Sequence, residues 1–147
     1  ICKRHDVYIH IVTGPGYKEY DNLKHNVLEK EGVGITHATG VISSIMETVQ
    51  LAITSNGRTV YELAHMNIPT IVIPQHEREG THSFASEKNG FILMDPYREF
   101  VTEEKVGNLL ETLLIDEDYR HTLYRQMVKY SFIENKKHVL AEILKFC

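Results

Sequence analysis

Short apolar runs alternate along the chain with longer stretches whose apolar residues recur every three or four positions. The first pattern is typical of buried strands, and the second is typical of helices with one buried face. Five segments have the strand pattern: 7–12, 34–38, 51–53, 70–73 and 91–94. Strands that alternate with helices in this way predict an α/β fold, a Rossmann-like parallel sheet in three layers.

The segment from Gln50 to Pro74 shows this alternation most clearly. A short apolar run is followed by the polar turn 54–57, a helical stretch at 58–66 and the β-branched run 70–73. Two buried strands joined by a helix of this length form a right-handed βαβ unit with parallel strands. Because such sheets bind ligands outside the carboxyl ends of their strands, the polar turn is a candidate binding site.

Helices are expected between the strands and after the last one. Their expected bounds are 17–29, 41–48, 58–66, 81–88, 102–114, 116–130 and 133–146. A charged loop is expected at 75–80. Thr102 is assigned as the N-cap of the first C-terminal helix, and Asp116 begins the next helix. The predicted sheet is therefore followed by extra C-terminal helices.

Length and composition limit the possible classes of protein. The 147 residues suggest one domain, and the formal net charge of −4 argues against a nucleic-acid binder. No apolar run approaches the roughly 20 residues that span a bilayer. Two cysteines without C-x-x-C spacing give no disulfide framework, which suggests a cytoplasmic protein. The chain lacks an initiator Met, so we expect a piece of a longer protein.

The turn Ser55-Asn56-Gly57-Arg58-Thr59 has the parts of a phosphate-binding loop. Gly57 permits a close approach of the backbone to an anion, and the start of the following helix offers unpaired N–H groups. The hydroxyls of Ser55 and Thr59 and the Arg58 guanidinium are further donors. The alternative is that Asn56 or Ser55 only caps the helix and Gly57 only serves the turn.

Two further residues have a binding and a structural interpretation. Glu62 lies one turn after Arg58 and Thr59, where a carboxylate can accept hydrogen bonds from the two hydroxyls of a ribose. It can equally be a surface residue paired with Arg58. Gly14, in the turn after the first strand, lies either beneath a ligand or in an ordinary tight connection.

The segment from His76 to His82 is dense in reactive side chains and follows the strand at 70–73. Sugar or phosphate contact is one interpretation, and it would involve Arg78, Glu79, Thr81 and His82. A solvated polar loop is the second. Metal binding through His76 and His82 is the third, but their separation fits no zinc motif, so no metal is expected.

These residues together resemble the C-terminal, nucleotide-binding half of a GT-B-type protein. The likeness is closest to the UDP-sugar hydrolases of nonulosonic (pseudaminic) acid biosynthesis and to related domains fused to acylneuraminate cytidylyltransferases. It rests on Asn56-Gly57, Thr59, Glu62 and the return strand Ile68-Pro69-Thr70-Ile71. The family has two glycines at the turn, where this chain has Asn56-Gly57 followed by Arg58.

The resemblance implies a domain that binds a UDP-linked sugar, with the diphosphate at the helix start and the ribose on Glu62. It implies an N-terminal GT-B half, or a fused cytidylyltransferase domain, as partner. The catalytic base of the hydrolases belongs to that other half, so no catalytic residue and no cofactor are assigned here. A glycosyltransferase half and a non-catalytic docking half of a split enzyme are the alternative functions.

Overall fold

The computed structural model describes residues 2–130 and 132–145. The chain forms two compact units, which divide between Ser44 and Ile45. The first unit contains a short helix, two strands and the helix that joins them: α1 (Cys2–His5), β1 (Ile9–Thr13), α2 (Tyr20–Leu28) and β2 (Val33–His37). The two strands are parallel and pair from Ile9 opposite Val33 to Thr13 opposite His37.

The helix α3 (Ile42–Met46) spans the division, and the remaining elements belong to the second unit. Three strands alternate with helices and are followed by three longer helices: β3 (Ala52–Thr54), α4 (Thr59–His65), β4 (Thr70–Val72), α5 (Glu77–Gly80), a 3-10 turn (Glu87–Asn89), β5 (Phe91–Leu93), α6 (Val101–Ile115), α7 (Glu117–Met127) and α8 (Phe132–Leu144). The strands are parallel in the order β3-β4-β5.

The core of the second unit lies on both faces of its central strand, β4. Val72 packs on one face with Val60 of α4 and with Phe91 and Met127. Ile71 packs on the other face with Leu113 of α6 and Leu123 of α7. Because successive side chains of a strand point to opposite faces, a strand buried on both faces is apolar throughout. The chain therefore has a mixed α/β structure with small parallel sheets, and the predicted βαβ unit at 50–74 is confirmed.

The region between β4 and β5 differs from the sequence prediction. The expected charged loop 75–80 contains the short helix α5, and the expected helix 81–88 is wrong, because only the 3-10 turn forms there. The carbonyl oxygens of Glu79 and His82 accept hydrogen bonds from the Asn56 side chain at 2.8 and 3.1 Å. These side-chain hydrogen bonds hold the segment at the point where the chain leaves the helical path.

The start of α6 is a second correction. The helix begins at Val101, and its N-cap position is Phe100 with φ 62°, rather than Thr102. Thr102 is buried, and its hydroxyl accepts a hydrogen bond from the Arg98 amide at 2.8 Å. The predicted start of α7 is confirmed, because the Asp116 carboxylate accepts from the Tyr119 amide at 2.8 Å. Among the described residues, no helix combines the length and apolar character needed to cross a membrane.

Candidate functional site

The carboxyl ends of β3, β4 and β5 lie at one edge of the three-stranded sheet, because the strands are parallel. The segments 55–58, 74–82 and 94–98 leave this edge, which we call the carboxyl edge. Ten of the eleven predicted binding residues lie here or in the first turn of α4. The eleventh, Gly14, lies in the first unit, where its carbonyl accepts from the Tyr17 amide in an exposed turn.

Asn56 joins two of the predicted binding segments. Its side chain is only 2% exposed, and its amide nitrogen donates to the carbonyl oxygens of Glu79 and His82. In return, His82 Nδ1 lies 2.8 Å from the Asn56 carbonyl oxygen. The turn after β3 and the segment after β4 are thus held together by three hydrogen bonds. Neither the cap nor the phosphate-binding interpretation of Asn56 describes this bridging role.

The start of α4 offers unpaired donors. The amides of Gly57, Arg58 and Thr59 donate to no acceptor within residues 2–130 and 132–145, whereas those of Val60 and Tyr61 donate to the carbonyls of Gly57 and Arg58. Arg58 is exposed, with helical φ and ψ of −65° and −30°. Three free amides beside an arginine make a local surface that can accept an anion.

Gly57 is not required by the shape of the turn. Its φ is not positive, and an added Cβ would meet only the Ser55 hydroxyl oxygen, at 3.6 Å, which is ordinary van der Waals contact. A side chain at this position would, however, stand beside the free amides of the turn. Gly57 therefore leaves the backbone accessible to another group, although the turn itself does not require a glycine.

The side chains of Arg58, Glu62 and Arg78 are exposed and form no hydrogen bond or ion pair with the described part of the chain. Glu62 is therefore not paired with Arg58, which was the structural interpretation of Glu62. All three side chains are available to a ligand.

Three other predicted residues are used locally. The Glu79 carboxylate accepts from the Gln75 amide at 2.9 Å, and the Thr81 hydroxyl donates to the Arg78 carbonyl at 2.8 Å. The His82 ring is held by Asn56. These contacts shape the segment after β4, so the residues fix its position and leave Arg78 as the free cation of that segment. No group of three potential metal ligands occurs among the described residues.

The sequence prediction did not include an aromatic pair next to this site. The Tyr61 ring stacks on Phe84, with ring centres 4.7 Å apart and an angle of 28° between the planes. Tyr61 lies one turn after Arg58. Half of its surface is exposed although its ring stacks on Phe84. The signal in the sequence was the spacing of Arg58, Tyr61 and Glu62 on one helical face.

A small recess lies at the same edge beyond β5, and it was not predicted either. It is lined by residues that end β5 and begin α6: Met94, Asp95, Pro96, Arg98, Val101, Thr102 and Lys105. Lys105 and Asp95 form an ion pair of 3.3 Å there, with both side chains exposed. No sequence pattern indicated the recess, because it depends on how α6 returns towards the sheet.

Comparisons of the chain with protein-family models, with curated proteins and with the solved structures returned no match.

Proposed function

We propose that the chain is the nucleotide-sugar-binding part of a cytoplasmic enzyme of surface-polysaccharide or nonulosonic acid biosynthesis, and that its ligand is linked to UDP. The observation that carries the proposal is the Asn56 bridge. It brings the turn 55–59 and the segment 78–82 together at the carboxyl edge, where parallel α/β sheets bind ligands. The resemblance to GT-B-type proteins rests on residues of the same turn and helix.

In this proposal, the free amides of Gly57, Arg58 and Thr59 bind the diphosphate. The helix dipole contributes only about 0.3–1 kcal/mol, so charged and hydroxyl groups supply most of the binding free energy. In the proposal, these groups are the Arg58 guanidinium, the Ser55 and Thr59 hydroxyls and the Arg78 side chain of the segment after β4. Glu62 accepts hydrogen bonds from the ribose hydroxyls.

In the intact protein, a water molecule would attack the anomeric carbon of the sugar. The bond from that carbon to the diphosphate oxygen would break, and UDP would leave with the bonding electron pair. This chain would hold the diphosphate and stabilise the negative charge that develops on it. The group that takes the proton from water would belong to the N-terminal GT-B half.

Isothermal titration with UDP and with UDP-N-acetylhexosamines tests the proposal. We expect binding by the unaltered chain, and a loss of about tenfold in affinity for Glu62→Gln, since hydrogen bonds to a charged group contribute about 1.5–3 kcal/mol. Glu117→Gln is the matched control, because Glu117 is also an exposed acidic residue in the first turn of a helix. Absence of heat with the unaltered chain would exclude nucleotide binding, and equal affinities for all three proteins would exclude the ribose contact.

Docking of a separate enzyme half is a second candidate function, and α8 favours it. Four apolar residues of this helix are more than half exposed: Val139, Leu140, Ile143 and Leu144. Sedimentation of the chain alone and of a Leu140→Glu variant, together with nucleotide titration, tests this function. Association that the substitution abolishes would support docking through this face, whereas a monodisperse monomer that binds nucleotide would contradict it.

A further inference from the structure

The Tyr61–Phe84 pair is supported from beneath by the core of the second unit. The Phe84 ring contacts those of Phe91 and Tyr130, each with a centroid distance of 5.7 Å. Phe91 is fully buried, and the Tyr130 hydroxyl donates to the side chain of Asn89, whose own amide donates to the Phe84 carbonyl at 2.7 Å. Phe84 therefore has a fixed position, and it fixes the plane of the Tyr61 ring.

Tyr61 is nevertheless not part of the core. Its exposed fraction is 50%, whereas the neighbouring core residue Val60 is 1% exposed. One face of the ring is covered by Phe84, and the exposure of the residue leaves ring surface that a second planar group can cover. Aromatic side chains held in this way are the surfaces on which nucleobases stack in proteins.

The charged residue Arg58, next to Tyr61, indicates which class of ligand could bind there. The Tyr61 amide donates to the Arg58 carbonyl at 3.0 Å, so the two residues lie on one turn of the chain. Side chains three positions apart on a helix are neighbours, so Arg58 and Tyr61 lie on the same side of the start of α4. Arg58 has no partner among the described residues. A ligand that satisfies both side chains has a planar ring and a negative charge.

We propose that Tyr61 stacks on the nucleobase of a bound nucleotide while Arg58 contacts its phosphates. The proposal rests on the proposed nucleotide-sugar function and deepens it by giving the position of the base. It makes Tyr61 a determinant of affinity for the nucleoside part of the ligand, separate from the amides that bind phosphate. A tyrosine that only packs on Phe84 would have no such selective effect.

Titration with uridine diphosphate and with inorganic diphosphate separates these roles. For Tyr61→Leu we expect about a tenfold loss of affinity for uridine diphosphate, since stacking contributes about 1–3 kcal/mol per base, and an unchanged affinity for inorganic diphosphate. Tyr61→Phe keeps the ring and is expected to bind both ligands as the unaltered chain does. Tyr124→Leu is the control, because Tyr124 is 45% exposed on α7.

The possible outcomes distinguish the two proposals. If Tyr61→Leu binds uridine diphosphate as tightly as the unaltered chain, or loses both ligands to the same extent, stacking on Tyr61 is excluded while nucleotide binding stands. If the unaltered chain binds neither ligand, both proposals fail. Thermal unfolding of each variant shows whether it is folded, and Tyr61→Phe provides a folded comparison that retains the stacking surface.

Discussion

Asn56 and His82 are 26 positions apart and hold each other in place. The Asn56 side chain donates to the His82 carbonyl at 3.1 Å, and His82 Nδ1 lies 2.8 Å from the Asn56 carbonyl. Asn56 follows β3, whereas His82 belongs to the segment that follows β4. The pair therefore ties together two neighbouring connections at the carboxyl edge, and its loss should loosen both.

Replacement of Asn56 by alanine tests this role. The change removes the two hydrogen bonds that the Asn56 side chain donates to the Glu79 and His82 carbonyls, and one such bond contributes about 0.5–1.5 kcal/mol. We expect a fall of about 2 kcal/mol in the free energy of unfolding, measured with urea. Amide hydrogen exchange should also become faster in the segment 79–84.

Asn22→Ala is the matched control for this change. The Asn22 side-chain amide donates a hydrogen bond as well, to the Glu19 carboxylate at 2.8 Å, but both residues are exposed. Substitutions of this kind usually change stability by less than about 0.5 kcal/mol. If Asn56→Ala were as mild as Asn22→Ala, the bridge would not hold the two segments together.

Gly90 should tolerate no side chain. Its φ is +86°, and an added Cβ would lie 2.4 Å from Met127 Cγ and 2.5 Å from the Leu123 carbonyl oxygen. A left-handed conformation alone costs a residue with a side chain about 1–2 kcal/mol. The backbone contact with α7 adds to this cost, so we expect Gly90→Ala to lower the free energy of unfolding by more than about 2 kcal/mol.

Gly107→Ala is the opposite case, since an added Cβ meets nothing within 4 Å in the middle of α6. Alanine in a helix interior is favoured over glycine by about 0.8–1 kcal/mol. Chemical denaturation of the two variants should therefore show changes of opposite sign. Similar destabilisation by both substitutions would mean that the contact of Gly90 with α7 does not determine the loss of stability in Gly90→Ala.

The elements that the sequence predicted correctly are those with a strong local signal. β4 is β-branched throughout and ends before a proline, so it was found within a residue of its bounds. The start of α7 was found because an Asp at the N-cap is a local device. The helix predicted at 81–88 does not form in a segment held by Asn56, which lies 23 positions before Glu79 and donates to the carbonyls of Glu79 and His82. No local pattern contains that information.

In the candidate site, too, the features with a local sequence signal were predicted and those that depend on long-range contacts were not. The turn 55–59 and the segment 78–82 were recognisable as polar segments that follow strands, and the order of parallel strands brought them to one edge. The stacking of Tyr61 on Phe84 was not recognisable, since it depends on the path of residues 83–86 after the Asn56 bridge. Sequence patterns located the edge, and long-range contacts decided which side chains are free there.

The cap of α7 can be measured by comparing Asp116→Ala with Asp118→Ala. Both changes remove one negative charge near the same helix start, but only Asp116 accepts a hydrogen bond from the Tyr119 amide. We expect Asp116→Ala to be the more destabilising by about 0.5–1.5 kcal/mol, the usual net contribution of one hydrogen bond. Equal unfolding midpoints in urea for the two variants would argue against the cap.

The last prediction concerns the hydrogen bond that the Tyr97 hydroxyl donates to the Glu103 carboxylate. This bond lowers the pKa of Glu103 below its ordinary value, because it favours the charged carboxylate. A carboxyl with a lower pKa in the folded chain contributes stability above its unfolded pKa, and that contribution is lost as the pH falls through the folded value. The same hydrogen bond raises the pKa of Tyr97. The stability that it contributes through Tyr97 is therefore lost as the pH rises through the folded-state pKa of that residue.

Both groups are exposed, so the pKa itself is the quantity to measure. We expect Tyr97→Phe to raise the pKa of Glu103 towards the ordinary value for a carboxyl, in a carbon-detected NMR titration of its side chain. Tyr124→Phe removes the hydroxyl of a comparably exposed tyrosine on α7 and should leave the Glu103 titration unchanged. If Tyr97→Phe left the titration of Glu103 where it was, the hydrogen bond would not be formed in solution.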